Sequence, residues 1–166
     1  MKNGIFAILI LTLLISAKSF SCTCPNPKSI KAIQDYEFEN SDCVFVGEVL
    51  EVNMNDNTFK IKVIESFKGK DKETIYIGTY DEQCGPIIDK KGKWLVYARF
   101  NSENILKINE CGLTRSLKNP EYNNVIDGLI VKRLNESDKT NQNKFNLEAR
   151  KILELELSDL RKTQND

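Results

Sequence analysis

Histidine is absent from the 166 residues of this chain. Its absence removes the commonest general base near neutral pH, the Ser-His and Cys-His nucleophile pairs, and imidazole as a metal ligand. An excess of charge of either sign is missing too, because 24 basic side chains balance 24 acidic ones. Such a balance gives no basic surface for nucleic acid or for an anionic membrane. We therefore expect neither a histidine-dependent enzyme nor a nucleic-acid-binding protein.

The apolar run at the N-terminus, Ile5–Ile15, is too short to span a bilayer, so no transmembrane segment is expected there. A basic start before it and small polar residues after it are typical of a secretory signal peptide, predicted over residues 1–21. Small residues favour cleavage before Cys22, and sites after Ala17 and after Ser19 stay open. The pattern predicts a secreted or extracytoplasmic protein, with a lipid anchor on Cys22 as the alternative.

Beyond residue 42, apolar and polar side chains alternate with the period of β-strands. Turn residues separate the alternating segments, and no helix-length crossover lies between them. Five strands are predicted, at 43–52, 59–63, 74–79, 94–100 and 105–109. We predict that these antiparallel strands form a small Greek-key barrel, with bulges at Gly47 and Gly78.

Helical spacing of apolar residues precedes and follows the strands. A short helix is predicted over 29–36, and a second begins with Asn119 as its cap and Pro120 in its first turn. A polar stretch at 135–143 ends the second helix, and a charged helix then runs to about Lys162. We expect this last helix to cover one open end of the barrel; binding of a partner is the alternative.

Five cysteines in an exported chain predict two disulfides and one free thiol. Cys22 and Cys24 have one residue between them, so we do not expect them to bond to each other. Cys84 and Cys111 lie in the loops after the third and fifth predicted strands. Cys43 opens an apolar strand, which indicates a buried small side chain rather than a reactive thiol. These observations leave the pairing open.

The cysteines stand within four short motifs. The motifs are Cys22-Thr23-Cys24 directly after the signal peptide, Ser41–Gly47 at the first strand, Cys84-Gly85, and Cys111 at the end of the last strand. In these motifs residues 22–117 resemble the N-terminal domain of the tissue inhibitors of metalloproteinases, which is a netrin-like module on an OB-fold barrel. Residues 118–166 lie outside the resemblance and are predicted to be a helical C-terminal extension.

The resemblance implies a disulfide pattern and an inhibitory site. It pairs Cys22 with Cys84 and Cys24 with Cys111. In the family, the α-amino nitrogen and carbonyl oxygen of the N-terminal cysteine bind the catalytic zinc of the protease, at the position a catalytic zinc keeps open for water. Carried over by position, Cys22 would bind the zinc and Thr23 would enter the specificity pocket. The supporting protease-binding edge would be formed by Cys24, Pro25, Cys84, Gly85 and Pro86.

This chain also departs from the family pattern. It lacks the third disulfide, its hairpin loop at 54–58 is short, and Pro25 removes a backbone donor that could pair with a protease. A non-inhibitory netrin-like module that binds an extracellular ligand through the barrel face is therefore the alternative. We expect most of the strand aromatics to belong to the core rather than to a stacking platform; they are Phe45, Phe59, Tyr76, Trp94, Tyr97 and Phe100.

No enzymatic activity is predicted. The strand carboxylates Glu48, Glu51 and Glu65 lie opposite lysines, as on a solvated face. Cys-x-Cys is not the redox spacing, and no glycine-rich phosphate loop is found. Paired cysteines supply no thiolates for a metal, so neither a metal site nor a cofactor is expected. The expected partner is a zinc metalloprotease, bound by a monomer.

Overall fold

The computed structural model describes residue 24 and the ranges 29–69, 72–82, 85–134, 138 and 141–164. The predicted signal peptide and its cleavage site lie outside these residues. Within the described ranges, no helix is both long enough and apolar enough to cross a membrane.

Six strands are described, and five of them close into a barrel. They are β1 Cys43–Asn53, β2 Thr58–Lys68, β3 Ile75–Thr79, β4 Gly92–Phe100, β5 Leu106–Ile108 and β6 Arg115–Ser116. The barrel order is β1-β2-β3-β5-β4, and β4 pairs back with β1. The short β6 pairs with β4 at Trp94 and Leu95. The predicted mainly-β barrel is confirmed, and β6 is an addition that the sequence did not predict.

β3 and β5 run parallel, whereas the sequence predicted antiparallel pairing throughout. The reason is the number of strands. Neighbours around a closed ring can alternate in direction only when the number of strands is even, and this ring has five. One parallel pair is unavoidable. It forms a short seam that consists of Gly78 opposite Leu106 and Thr79 opposite Lys107.

Two apolar clusters lie on opposite sides of the barrel wall. The period-two pattern of β1 directs Cys43, Phe45 and Val49 inward and Val44 and Val46 outward. The predicted core positions of the aromatics are confirmed, with Phe100 only partly buried. Those inside the barrel are Phe45, Phe59, Tyr76, Trp94 and Phe100, and Tyr97 belongs to the outer cluster.

The two glycines within strands, Gly47 and Gly78, have different structural roles. The register of β1 against β2 shifts between Val46 and Gly47, so the bulge predicted at Gly47 is confirmed. At Gly78 the β2–β3 ladder is regular and the prediction of a bulge is wrong. A Cβ at Gly78 would lie 2.2 Å from Cζ of Phe59. The missing side chain therefore makes room for the Phe59 ring inside the barrel.

The first helix, α1, spans Ile30–Asn40 and begins as predicted after Ser29, whose hydroxyl accepts from the Ala32 N–H. It runs beyond the predicted end at Tyr36, and its buried Glu37 faces the barrel loops. This extension brings an acidic side chain into contact with the end of β5, as described below.

The second helix, α2, spans Asn124–Arg133, and its cap is Asn123 rather than the predicted Asn119. The Asn123 carboxamide oxygen accepts from the N–H groups of Val125 and Ile126. Its nitrogen donates to the carbonyls of Gly112 and Thr114. These tertiary bonds fix the cap at Asn123, and the residues just before it form a turn.

The last helix, α3, spans Gln142–Thr163 and packs against the side of the barrel. Its apolar residues contact the outward side chains of β1 and β4 in one cluster that includes Val44, Val46, Leu95 and Tyr97. The prediction that this helix covers an open end is therefore wrong. The outward apolar side chains of β1 and β4 would otherwise be exposed to water, and α3 buries them. α3 also contributes Glu156, whose carboxylate forms a fully buried ion pair with Arg115 of β6.

Candidate functional site

One disulfide, Cys24–Cys111, joins the N-terminal segment to the loop after β5. The two Cα atoms are 5.3 Å apart, and the bond links positions separated by 87 residues. In the chain-entropy model a loop of this length contributes about 4.5 kcal/mol to stability. The bond confirms one of the two pairs that the family resemblance implies, and it fits an extracellular protein.

The Gly85–Pro86 turn packs against the segment that carries Cys111. A Cβ at Gly85 would lie 3.5 Å from Cα of Glu110, the residue before Cys111. The Gly85 N–H donates to the Asp81 carbonyl at 3.2 Å, and Pro86 is buried. Through Glu110 and Cys111, the structure brings Cys24, Gly85 and Pro86 to one edge of the molecule.

The remaining predicted protease-binding residues lie outside the described residues. They are Cys22, Thr23, Pro25 and Cys84, and with them the implied Cys22–Cys84 bond. The zinc-binding and pocket roles of Cys22 and Thr23 therefore stay predictions.

Glu37 of α1 supports the Cys111 segment from the other side. Nδ2 of Asn109 donates to Oε2 of Glu37 at 2.8 Å. A Cβ at Gly112 would lie 2.6 Å from the same Oε2, so the carboxyl packs directly on the backbone beside the disulfide. Burial raises the pKa of Glu37, and the hydrogen bond from Asn109 lowers it by less. The edge is thus held between α1 and the barrel.

Next to this edge lies a groove of about 740 Å³. The Gly85–Pro86 turn, the residues after it and the Asn119–Asp127 segment contribute to its lining. Phe145 of α3 and Asn123, the cap of α2, also belong to its lining. The same turn therefore borders both the disulfide edge and the groove.

Carboxylates dominate the charged lining of this acidic groove. They are Glu82, Asp89, Glu110, Glu121 and Asp127, against the single ammonium of Lys90. Lys90 lies 3.5 Å from Asp89, and Lys107 lies 3.9 Å from Glu110. Among the described residues no basic side chain pairs with the other three carboxylates.

Apolar side chains are exposed in the same groove. Tyr122 is 70% exposed, Ile87 44% and Val131 39%. Trp94, the single tryptophan of the sequence, also lines the groove although it is largely buried. Its Nε1 donates to the Lys90 carbonyl at 3.1 Å, which ties it to the wall after the Gly85–Pro86 turn.

The carboxylates and the exposed apolar residues of the groove were not singled out in the sequence. Glu82, Tyr122 and Asp127 lie on different segments, and only the fold brings them together. Residues 120–123 were assigned to a helix, whereas the structure leaves them outside α2, with Pro120 and Glu121 buried and Tyr122 exposed. A weak signal was present in Tyr122, a large side chain inside a run of polar residues.

Cys43 is chemically quiet, as the sequence predicted. Its side chain is completely buried, and burial, with the charge of Asp42 as a smaller cause, raises the pKa of its thiol to about 12. In the part of the chain that the structure describes, no group of three or more Cys, Asp or Glu side chains could hold a metal ion.

Neither a scan of protein-family models nor a search of curated proteins finds a match to this sequence. The resemblance to the inhibitors of metalloproteinases rests on the motifs around Cys22, Cys43, Cys84 and Cys111.

Proposed function

We propose that this protein is a secreted inhibitor of zinc metalloendopeptidases that acts through its mature N-terminus at Cys22. The α-amino nitrogen and carbonyl oxygen of Cys22 bind the catalytic zinc of the protease and displace its water. Thr23 enters the specificity pocket, and the edge around Cys24, Gly85 and Pro86 lies along the cleft. An α-amino group has a pKa of about 7.7–8.0, so a useful fraction is neutral near physiological pH.

The observation that carries this proposal is the Cys24–Cys111 bond beside the Gly85–Pro86 turn. The bond anchors the chain two residues after Cys22 to a rigid barrel. A segment fixed before binding loses less conformational entropy when it enters a protease cleft. Glu37 and Asn109 add rigidity to the loop that holds the bond.

The fold assignment that accompanies the proposal is a netrin-like OB-fold with Greek-key connections. Its support is the five-stranded closed barrel with the fifth strand between the third and the fourth. The helical segment after residue 117 is then an addition to that module.

The test compares the mature chain starting at Cys22 with a variant that carries one extra alanine before Cys22. Each is titrated against several secreted zinc metalloendopeptidases with a fluorogenic peptide substrate. We expect the extension to weaken inhibition by about a hundredfold or more, equivalent to about 2.8 kcal/mol. The extra residue removes the free amine from Cys22 and therefore one ligand from the zinc.

The matched control carries the same alanine after Asp166, at the opposite end of the chain. It should inhibit like the unmodified protein. Circular dichroism and an intact Cys24–Cys111 bond establish that both variants are folded. Inhibition retained by the Cys22-extended variant would show the zinc-chelating mechanism to be wrong. Absence of inhibition by the unmodified chain would favour the non-inhibitory binding module instead.

A further inference from the structure

The acidic groove combines negative charge with exposed apolar surface. Glu82 and Asp127 both line the groove and are exposed, and no ion pair within the described ranges neutralises either one. Exposed Tyr122 and Ile87 lie in the same concavity. Grouped apolar side chains at a rim of charge mark interaction surfaces more often than scattered ones do.

The volume of the groove is that of a binding site. At about 740 Å³ the groove falls within the usual range of ligand sites, about 300–1,000 Å³. The carboxylates exclude an acidic occupant, since like charges at close range oppose binding. The apolar residues favour an occupant with side chains of its own to bury. A bare polyamine would satisfy the charge and leave Ile87 and Tyr122 in water.

We propose that the acidic groove binds a basic segment of a partner protein, one that alternates lysine or arginine with apolar side chains. The cations lie against the exposed Glu82 and Asp127, and the apolar side chains pack on Ile87 and Tyr122. The Tyr122 ring offers a face for a cation as well. This binding needs no free amine at Cys22, so it stands independently of the proposed inhibition.

Trp94 makes the proposal measurable. It is the only tryptophan of the chain and lines the groove, so its fluorescence reports on occupation. The probe is a capped peptide of alternating lysine and leucine, titrated into the mature protein. Two further peptides are the controls. The second peptide alternates glutamate with leucine, and the third alternates lysine with glycine. We expect a saturable change with the first peptide, none with the second and clearly weaker binding of the third.

Two charge-matched double variants locate the site. Glu82→Lys with Asp127→Lys reverses charge in the groove, and Glu103→Lys with Glu154→Lys reverses the same charge at exposed positions outside it. The groove variant should bind the lysine–leucine peptide about tenfold more weakly, because two attractions become repulsions. The control variant should keep most of the affinity. Equal losses in both variants would overturn the proposal.

Tyr122→Ser provides a second route if the groove variant fails to fold. Because Tyr122 is 70% exposed, the substitution should leave the fold intact and weaken the lysine–leucine peptide several-fold. Unchanged affinity, or spermidine binding as tightly as the peptide, would contradict the proposal. The alanine-extended protein should bind the peptide normally, which separates this result from a failure of protease inhibition.

Discussion

Tyr97 of β4 donates a hydrogen bond to Glu156 of α3, with 2.5 Å between Oη and Oε1. The other carboxylate oxygen of Glu156 pairs with Arg115 of β6, whose Nη1 donates to the Leu113 carbonyl. The side chains of Arg115 and Glu156 are 0% and 1% exposed. A carboxylate from the C-terminal helix is therefore the counter-ion of a cation buried on β6, the short strand that pairs with β4, and the helix and the sheet depend on each other.

Replacing Glu156 with glutamine should lower the free energy of unfolding by about 3–5 kcal/mol, because it leaves the Arg115 guanidinium buried without a counter-ion. Urea unfolding followed by circular dichroism measures the change. Glu154→Gln, at an exposed position of the same helix, is the control and should change stability by about 0.5 kcal/mol or less. Similar losses from both would contradict a special role for Glu156.

Glu37 should make stability depend on pH. Its pKa is raised by burial, so the folded protein holds this proton more tightly than the unfolded chain. The contribution to stability is fully present below the ordinary glutamate pKa of about 4.3, and it is lost as the pH rises through the higher folded value. Glu37→Gln should remove this part of the decline in unfolding curves recorded at several pH values. Glu39→Gln, exposed on the same helix, should leave it in place.

The same substitution at two glycines should have opposite effects. Gly78→Ala places a methyl group against the Phe59 ring inside the barrel and should destabilise the protein by about 1–3 kcal/mol. Gly128→Ala, in α2, meets nothing within 4 Å and should stabilise it by about 0.5–1 kcal/mol. Thermal unfolding of both variants tests the pair. A stable Gly78→Ala protein would show that Phe59 can move aside.

Removal of the disulfide should cost about 2–5 kcal/mol of unfolding free energy in the double variant Cys24→Ser with Cys111→Ser. The unfolded chain gains freedom when an 87-residue separation is no longer bridged. Denaturant unfolding measures the loss. A reductant should lower the stability of the unmodified protein by breaking the Cys24–Cys111 bond. The double variant lacks this bond and should not show that loss. A variant as stable as the unmodified protein would contradict a stabilising role for the bond.

Local sequence pattern predicted much of the fold. Period-two alternation located the barrel strands within a few residues, because each strand has one face toward the apolar interior. The parallel pairing of β3 with β5 was not predicted, because strand direction follows from closure of the ring rather than from any residue in those strands. The cap of α2 was also predicted at the wrong residue. Asn119 and Asn123 are equally suitable in sequence, and only the carbonyls of Gly112 and Thr114 select Asn123.

The candidate site was also predicted only in part. The Cys24–Cys111 bond was implied by the family resemblance, which rests on short cysteine motifs that can be read directly from the sequence. The acidic groove was not predicted, since Glu82 and Asp127 are far apart along the chain and no sequence motif links them. The surface against which α3 packs could not be predicted either. Its apolar stripe indicates that a face is buried, but the outward residues of β1 and β4 determine where.

The seam between β3 and β5 has a consequence for solubility. Only two residue pairs close the ring there, fewer than at any other junction of the described barrel. A local opening at this point would leave β3 as an edge strand with unpaired backbone groups, and its Ile75 and Ile77 are already more than half exposed. Such a strand is a template for adding another chain. Conditions that loosen the ring are therefore expected to promote self-association through β3 before the rest of the protein unfolds.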